Sequence, residues 1–155
     1  MPELILMRHA AALPAAIDAS DFERPLSATG RAAAAHSARR LEAEGVKVER
    51  ILFSPACRSR DTAAIVAKEL ALDVAVQQEL PELYAATPRT IRAAIARYHA
   101  NAMSLLVIGH NPGLSDFGRK LDGPLSLDHL PTAGFWRVRF DAKGWQKLTH
   151  SGHTG

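Results

Sequence analysis

The chain contains one cysteine and lacks several short motifs that carry common chemistries. The single thiol, Cys57, excludes an internal disulfide and is compatible with a reducing compartment. The sequence has no HExxH pattern, no Walker A glycine and lysine loop and no Asp-x-Asp pair. These absences remove the most common metal-dependent and nucleotide-dependent sites from consideration.

Long hydrophobic runs and aromatic residues are also scarce. No stretch approaches the roughly 20 apolar residues of a membrane span, and the first apolar run is too short for a secretion signal. Aromatic residues make up 6% of the chain, and 19 Lys and Arg residues are dispersed among 16 Asp and Glu residues, for a net charge of +3. We therefore expect a soluble, cytoplasmic protein with no membrane partner and no nucleic-acid partner.

The order of apolar runs and helical segments predicts one α/β domain, with a mostly parallel sheet flanked by helices. Its 155 residues fit a single domain over 1–155, in which we expect 149–155 to form a frayed tail. We predict strands at 4–8, 49–54, 74–76 and 105–108, and helices at 27–44, 58–70 and 87–100. A further helix begins at Asn111-Pro112, and the alternation over 135–140 predicts an edge strand.

Two of the predicted strands end in a histidine. The run Leu4-Ile5-Leu6-Met7 leads into Arg8-His9, and the run Leu105-Leu106-Val107-Ile108 leads into Gly109-His110. The carboxyl ends of neighbouring parallel strands form the ligand crevice of an α/β sheet, so these two segments can place two imidazoles side by side.

The residues Arg8, His9, Arg58 and His110 together supply what phosphoryl transfer needs. A neutral ring nitrogen of His9 can attack phosphorus, while the two arginines hold the phosphate oxygens. Arg58 follows Ser54-Pro55 at the start of a predicted helix, where free backbone N–H groups also attract an anion. If protonated, His110 would donate to another oxygen, and together with the arginines it would then disfavour charge on His9.

Three further residues are candidates, each with a structural alternative. Ser54 either donates to phosphate or ends a strand, and Thr132 either approaches the pocket from the last loop or is a turn residue. Cys57 is better explained by packing than by a thiol mechanism, because a cysteine phosphatase needs an arginine six positions later, where Ala63 stands.

Five motifs appear in an order that resembles the histidine phosphatase superfamily. They are LMRHA at 6–10, RPLSATG at 24–30, LFSPACR at 52–58, DTA at 61–63 and VIGHN at 107–111. The short length, Ala10 and the segment Leu80-Pro81-Glu82-Leu83 are most similar to SixA-type phosphohistidine phosphatases. The resemblance implies a phosphoglycerate mutase-like, three-layer αβα fold in a minimal version without the large helical insert of many relatives.

The resemblance also implies roles for individual residues. His9 would form a phosphohistidine intermediate, Arg8, Arg58 and His110 would form the phosphate pocket, and no metal or organic cofactor is required. Glu82 falls where larger relatives carry an acid for the leaving group, but the glycine-containing pattern that often follows is replaced by Leu83-Tyr84-Ala85-Ala86.

The expected function is therefore dephosphorylation of phosphohistidine on a signalling protein such as a histidine phosphotransfer domain. An imidazole leaving group needs less protonation than an alcohol, so a weak or missing acid favours this substrate class. A small-molecule phosphomonoesterase of the same superfamily and a non-catalytic phosphate-binding module are the alternatives. The oligomeric state is left open.

Overall fold

The computed structural model describes residues 2–17, 19–121, 130–140 and 144–145. Within these residues five strands form one sheet: β1 (Glu3–Arg8), β2 (Arg50–Phe53), β3 (Gln77–Glu79), β4 (Ser104–Gly109) and β5 (Phe135–Arg139). The strand order is β3-β2-β4-β1-β5. Only the pairing of β1 with β5 is antiparallel among these strands, so the sheet is mostly parallel, as predicted.

Four α-helices lie between the strands in the described part of the chain: α1 (Ala28–Ala43), α2 (Cys57–Glu69), α3 (Pro88–Tyr98) and α4 (Gly113–Arg119). Three short 3₁₀ helices occupy Asp21–Glu23, Val74–Val76 and Pro81–Leu83. None of the helices described is both long and apolar enough to cross a membrane.

Hydrogen bonds from capping side chains confirm the predicted starts of the two longest predicted helices. The side chain of Ser27 accepts from the backbone N–H of Gly30 at the start of α1, and Gly45 follows the helix with a φ of +83°. At the start of α3 the Thr87 side chain accepts from the backbone N–H of Thr90, and Pro88 is the first helical residue.

Two apolar layers cover the two faces of the sheet. On one face, α1 and α2 pack with Leu41 and Val66 against strand residues that include Ile5. On the other face, α3 and α4 pack with Ile95 and Phe117 against strand residues that include Leu6, Val107 and Trp136. Because successive strand residues point to opposite faces, the continuous apolar runs of β1 and β4 are explained by burial on both sides. The architecture is a three-layer αβα sandwich.

The predicted strand over Val74–Val76 is wrong. These residues form a 3₁₀ helix, because the Asp73 side chain caps it by accepting from the backbone N–H of Ala75 at 3.1 Å. The strand follows immediately as β3, where Gln77 pairs with Ile51 of β2. A three-residue strand of polar residues at the sheet edge has no alternation of apolar and polar residues by which the sequence could indicate it.

The other predicted elements agree with the structure within two residues at their ends. The edge strand is confirmed as β5, in which Trp136 and Val138 are buried while Arg139 is exposed. The last helix begins at Gly113 rather than at Pro112, and Asn111 accepts from the backbone N–H of Ser115. The predicted tail at 149–155 lies outside the described residues.

The carboxyl ends of β1 and β4 meet at the centre of the sheet. Arg8 pairs with Gly109 in the parallel register of these neighbours, so the residues that follow them are His9 and His110. The helix after β1 covers one face of the sheet and the helix after β4 covers the other. Such a reversal is where α/β sheets open a ligand crevice.

Candidate active site

Backbone hydrogen bonds fix the two histidines beside each other. The backbone N–H of His9 donates to the carbonyl of Gly109 at 3.1 Å, and the backbone N–H of Ala133 reaches the carbonyls of Arg8 and His9. The ring centroids of His9 and His110 are 5.2 Å apart, with 54° between the ring planes. Both residues are buried, at 9% and 7% exposure.

The protonation of His9 is set by a backbone carbonyl. Its Nδ1 lies 2.8 Å from the carbonyl oxygen of Ala10. A carbonyl oxygen can only accept, so in the neutral ring Nδ1 carries the hydrogen and Nε2 holds the lone pair. Arg58 Nε donates to that Nε2 at 3.3 Å. The nitrogen that a phosphoryl group would need is therefore unprotonated.

The ring of His110 has the opposite tautomer. Its Nδ1 lies 3.4 Å from Arg58 Nη2, and a guanidinium can only donate, so Nδ1 is the acceptor. The hydrogen is then on Nε2, which donates to Ser54 Oγ at 2.7 Å; Ser59 Oγ lies 3.4 Å from the same nitrogen. Ser54 is fully buried and also accepts from the backbone N–H of Ala56.

Burial and positive charge lower the pKa of both histidines. Burial lowers the pKa of His9 to about 4, with Arg58 and Arg8 acting in the same direction against the hydrogen bond to Ala10. Burial first, and then the charges of His9 and Arg58, lower the pKa of His110 to about 3. With these pKa values both rings are neutral at neutral pH in the free protein, so the uncharged His9 agrees with the prediction, and the arginines rather than a charged His110 accompany it.

Arg58 is the centre of the cluster. It lies at the second position of α2 and is 7% exposed. Besides its contacts to the two histidines, its Nη1 donates to the backbone carbonyl of Asp21 at 2.8 Å and its Nη2 donates to the Asp21 carboxylate at 2.9 Å. The helix start predicted for this residue is confirmed.

Arg8 brings a second positive charge to the same place. Its Nη1 donates to the carbonyl of Leu130 at 3.2 Å, and its Nε is buried without a hydrogen-bond partner. Burial, followed by the nearby charge of Arg58, lowers its pKa. Within the residues described, no carboxylate pairs with Arg8. A buried N–H without a partner, beside a second guanidinium, is suited to an anionic ligand.

Two residues that the sequence analysis missed complete the site. The Asp21 carboxylate accepts from Arg58, from Arg24 and from the Tyr84 hydroxyl, at distances between 2.9 and 3.0 Å. The Tyr84 ring lies edge-on to His110, with centroids 5.5 Å apart. Asp21 stands only three residues before the RPLSATG motif, but no periodicity or spacing connects it with Arg58.

The weaker candidates Ser54, Glu82 and Thr132 occupy different positions. Ser54 contacts His110, as described above. Glu82 is exposed on the 3₁₀ helix Pro81–Leu83 and makes no hydrogen bond or ion pair within the described residues. Thr132 is exposed in the turn before β5, closed by a hydrogen bond from Gly134 to Pro131. Roles for these residues in binding or acid catalysis stay predictions.

A cavity of about 250 Å³ lies beside His110. It is lined by the segment 85–88, by His110 and the residues that follow it, and by Asp116. Five of its nine lining residues are alanine, proline or glycine. Its position next to one histidine makes it a candidate site for part of a substrate.

A match to a protein-family model identifies the superfamily of this chain. The model of the histidine phosphatase superfamily, branch 1, matches residues 4–111, a segment that contains Arg8, His9, Arg58 and His110. The chain belongs to the histidine phosphatase superfamily. An uncharacterized protein from Picosynechococcus sp. is 34% identical over 134 residues, covering 83% of this chain and 78% of the relative.

Solved structures place this histidine phosphatase close to SixA. A candidate phosphohistidine phosphatase SixA from Agrobacterium tumefaciens superposes with a TM-score of 0.77 at 27% identity, covering 88% of this chain and 91% of that one. The protein histidine phosphatase SixA complexed with tungstate gives a TM-score of 0.77 at 28% identity, with coverages of 92% and 90%. The fold is thus the phosphoglycerate mutase-like fold of SixA, and the likeness supports phosphatase activity.

Proposed function

We propose that this histidine phosphatase removes the phosphoryl group from phosphohistidine on a signalling protein. The observation that carries the proposal is the hydrogen bond from His9 Nδ1 to the Ala10 carbonyl, because it leaves Nε2 unprotonated among three phosphate-binding side chains. A cytoplasmic phosphotransfer protein, such as a histidine phosphotransfer domain, is the partner that fits this chemistry.

The reaction has two steps. In the first, His9 Nε2 forms a bond to phosphorus while the bond from phosphorus to the substrate's imidazole nitrogen breaks, and that nitrogen takes a proton from solvent. In the second, water attacks the phosphorus, the bond to His9 Nε2 breaks, and inorganic phosphate leaves with the water's oxygen. The role of the protein is to position the groups and to stabilise charge on the phosphoryl oxygens.

The charges in the site support an incoming dianion. Arg8 and Arg58 bring two guanidinium groups to the two histidines, and Asp21 is the one carboxylate that binds either of them within the described residues. A phosphoryl group supplies the missing negative charge and an acceptor for the buried Arg8 Nε.

His110 changes its role when the anion binds. In the free protein its Nδ1 has no hydrogen, since Nε2 donates to Ser54. A phosphoryl dianion beside the ring stabilises the imidazolium and raises its pKa from about 3. The ring then donates through Nδ1 to a phosphoryl oxygen while Ser54 continues to hold Nε2.

Three features support a protein rather than a small phosphomonoester as substrate. Relatives of similar fold at 27% and 28% identity bear the name of the phosphohistidine phosphatase SixA. The segment that carries Asp21 also exposes Leu13, Ile17 and Phe22, an apolar rim suited to a protein surface. Glu82 makes no hydrogen bond or ion pair within the described residues, and an imidazole leaving group needs less acid assistance than an alcohol.

The first experiment measures phosphate release without added metal. The substrates are a phosphorylated histidine phosphotransfer domain and a panel of small phosphomonoesters, and the proteins are wild type, His9→Ala and the control His36→Ala. We expect turnover of the phosphoprotein by wild type and by His36→Ala, since His36 is exposed on α1. We expect at least a thousandfold loss in His9→Ala. Equal activity in His9→Ala would overturn the mechanism.

A second variant separates the substrate classes. Glu82→Gln should leave phosphohistidine turnover within about twofold of wild type, because the imidazole leaves without help from this carboxylate. Turnover of small esters by wild type, lost in Glu82→Gln, would assign the protein to phosphomonoester hydrolysis instead. Stoichiometric binding of the phosphoprotein without phosphate release would make it a phosphate-binding module.

A further inference from the structure

Arg58 already makes four hydrogen-bond contacts with protein atoms before any phosphoryl group arrives. Its Nε donates to His9 Nε2 at 3.3 Å, its Nη1 to the Asp21 carbonyl at 2.8 Å and its Nη2 to the Asp21 carboxylate at 2.9 Å. The same Nη2 lies 3.4 Å from His110 Nδ1. The N–H groups of Arg58 that would donate to phosphate oxygens therefore donate to protein atoms in this structure.

This arrangement is incompatible with attack by His9. The lone pair of Nε2 must point at phosphorus in line with the bond that breaks, but here it accepts the hydrogen of Arg58 Nε. Phosphorus can reach Nε2 only if the guanidinium moves aside, and the two hydrogen bonds to Asp21 hold the guanidinium where it is.

We propose that Asp21 is an internal anion that occupies the phosphoryl-binding face of Arg58, so that substrate must displace Asp21 before His9 can react. The proposal rests on the phosphate-binding part of the proposed function. It makes Asp21 an affinity-determining residue, which weakens the binding of any oxyanion by competing with it for the same guanidinium.

The location and exposure of Asp21 are consistent with a contact to Arg58 that an incoming anion can break. Asp21 lies in the three-residue 3₁₀ helix Asp21–Glu23, and its side chain is 53% exposed although its partner Arg58 is buried. The Tyr84 hydroxyl donates to the same carboxylate oxygen that Arg58 binds, and the Tyr84 ring packs between Phe22 and His110. Hydrogen bonds from Arg24 and Tyr84 lower the pKa of Asp21 to about 2, so the carboxylate is ionised at neutral pH.

The test is the affinity for tungstate, measured by titration calorimetry at neutral pH. Asp21→Asn keeps the size of the side chain and removes its charge, so we expect tungstate to bind about tenfold more tightly than to wild type. Glu23→Gln removes the same charge from the same 3₁₀ helix, but its side chain makes no hydrogen bond or ion pair within the described residues, so we expect a change of less than about twofold.

Tyr84→Phe tests the same contact without changing the charge. It removes the hydroxyl that holds the Asp21 carboxylate and keeps the ring against His110, so we expect tungstate to bind about two- to threefold more tightly.

The opposite result has a distinct meaning. If Asp21 instead holds Arg58 in the arrangement that binds phosphate, Asp21→Asn will bind tungstate more weakly than wild type, which overturns the proposal. Equal tightening in Glu23→Gln overturns it too, since the effect would then be one of net charge, and so does a lack of tungstate binding by all four proteins. Tighter binding by Asp21→Asn without phosphohistidine turnover in any of them would leave this proposal standing and reject the proposed function.

Discussion

His9 and His110 are 5.2 Å apart, yet they hold their hydrogens on opposite ring nitrogens. A backbone carbonyl at 2.8 Å places the hydrogen of His9 on Nδ1, and a serine hydroxyl at 2.7 Å receives the hydrogen of His110 from Nε2. The different tautomers of the two rings therefore result from their hydrogen-bond partners and not from the imidazoles themselves. His9 has its lone pair on Nε2, and His110 has its lone pair on Nδ1, the nitrogen that takes up a proton in the proposed mechanism.

Ser54→Ala tests how much the orientation of His110 contributes. The change removes the acceptor of a buried N–H. We therefore expect the free energy of unfolding, measured by urea denaturation, to fall by about 1–2 kcal/mol and kcat/KM to fall about tenfold. ¹⁵N NMR of His110 should show the hydrogen shared between both ring nitrogens instead of fixed on Nε2.

Ser59→Ala is the matched control for that experiment. Ser59 is also fully buried, but its Oγ lies 3.4 Å from His110 Nε2 instead of 2.7 Å. We expect less than threefold loss of kcat/KM and an unchanged His110 tautomer. If the two variants behave alike, Ser54 has no special role in holding the ring.

The sequence identified the four central residues because each follows a signal that can be detected locally. His9 and His110 end apolar runs, and Arg58 follows a Ser-Pro pair at a helix start. Asp21 and Tyr84 were missed because they lie in irregular segments, and their contact joins residues 63 positions apart. Such contacts depend on how two loops fold over the sheet edge, which neither periodicity nor capping describes.

Close backbone approach connects α4 to the loop before α3. A Cβ on Gly113, the first residue of α4, would lie 1.8 Å from the carbonyl oxygen of Ala86. The Ala86 oxygen belongs to the segment that lines the cavity beside His110. Glycine at this position therefore allows the helix that follows His110 to pack directly against one wall of the site.

Gly113→Ala should displace that wall. We expect a loss of about 2 kcal/mol or more in the free energy of unfolding, measured by urea denaturation, because a backbone atom must move to make room. Gly109→Ala serves as the control, since a Cβ there would meet Leu114 Cδ1 at an ordinary 3.7 Å. Equal stabilities of the two variants would show that the loop adjusts without cost.

Helices and long strands were predictable from sequence, and short irregular elements were not. Ser27 and Thr87 cap helices whose starts follow from side-chain hydrogen bonding within one turn. Over Val74–Val76 the β-branched residues favour a strand, but the hydrogen bond from the Ala75 N–H to Asp73 stabilises a 3₁₀ helix instead. A short-range cap thus outweighs a weak strand preference.

The topology of the chain brings these residues together. Strands β1 and β4 are adjacent although about a hundred residues separate them, and their helices leave toward opposite faces of the sheet. Arg58 lies in the resulting crevice because α2, which begins just before it, follows β2, the other neighbour of β4. The site therefore exists only when the whole sheet is formed, and its buried groups contribute to the stability of the whole fold.

The two buried histidines make stability depend on pH. Their folded-state pKa values of about 4 and about 3 lie below the value near 6.5 of an unfolded chain. Between those values the unfolded chain binds more protons than the folded one, so the free energy of unfolding falls as the pH falls from about 6.5. The limiting slope is about 1.4 kcal/mol per pH unit for each histidine.

Urea denaturation between pH 7 and pH 5 measures that slope, because most carboxylates remain ionised in this range. Replacing His9 or His110 by Ala should lower the slope of the unfolding free energy against pH by up to about 1.4 kcal/mol per pH unit each. A wild-type slope that neither variant alters would mean that both rings take up protons in the folded protein as readily as in the unfolded chain. His9 would then be charged in mildly acidic solution, and its Nε2 would have no lone pair with which to attack phosphorus.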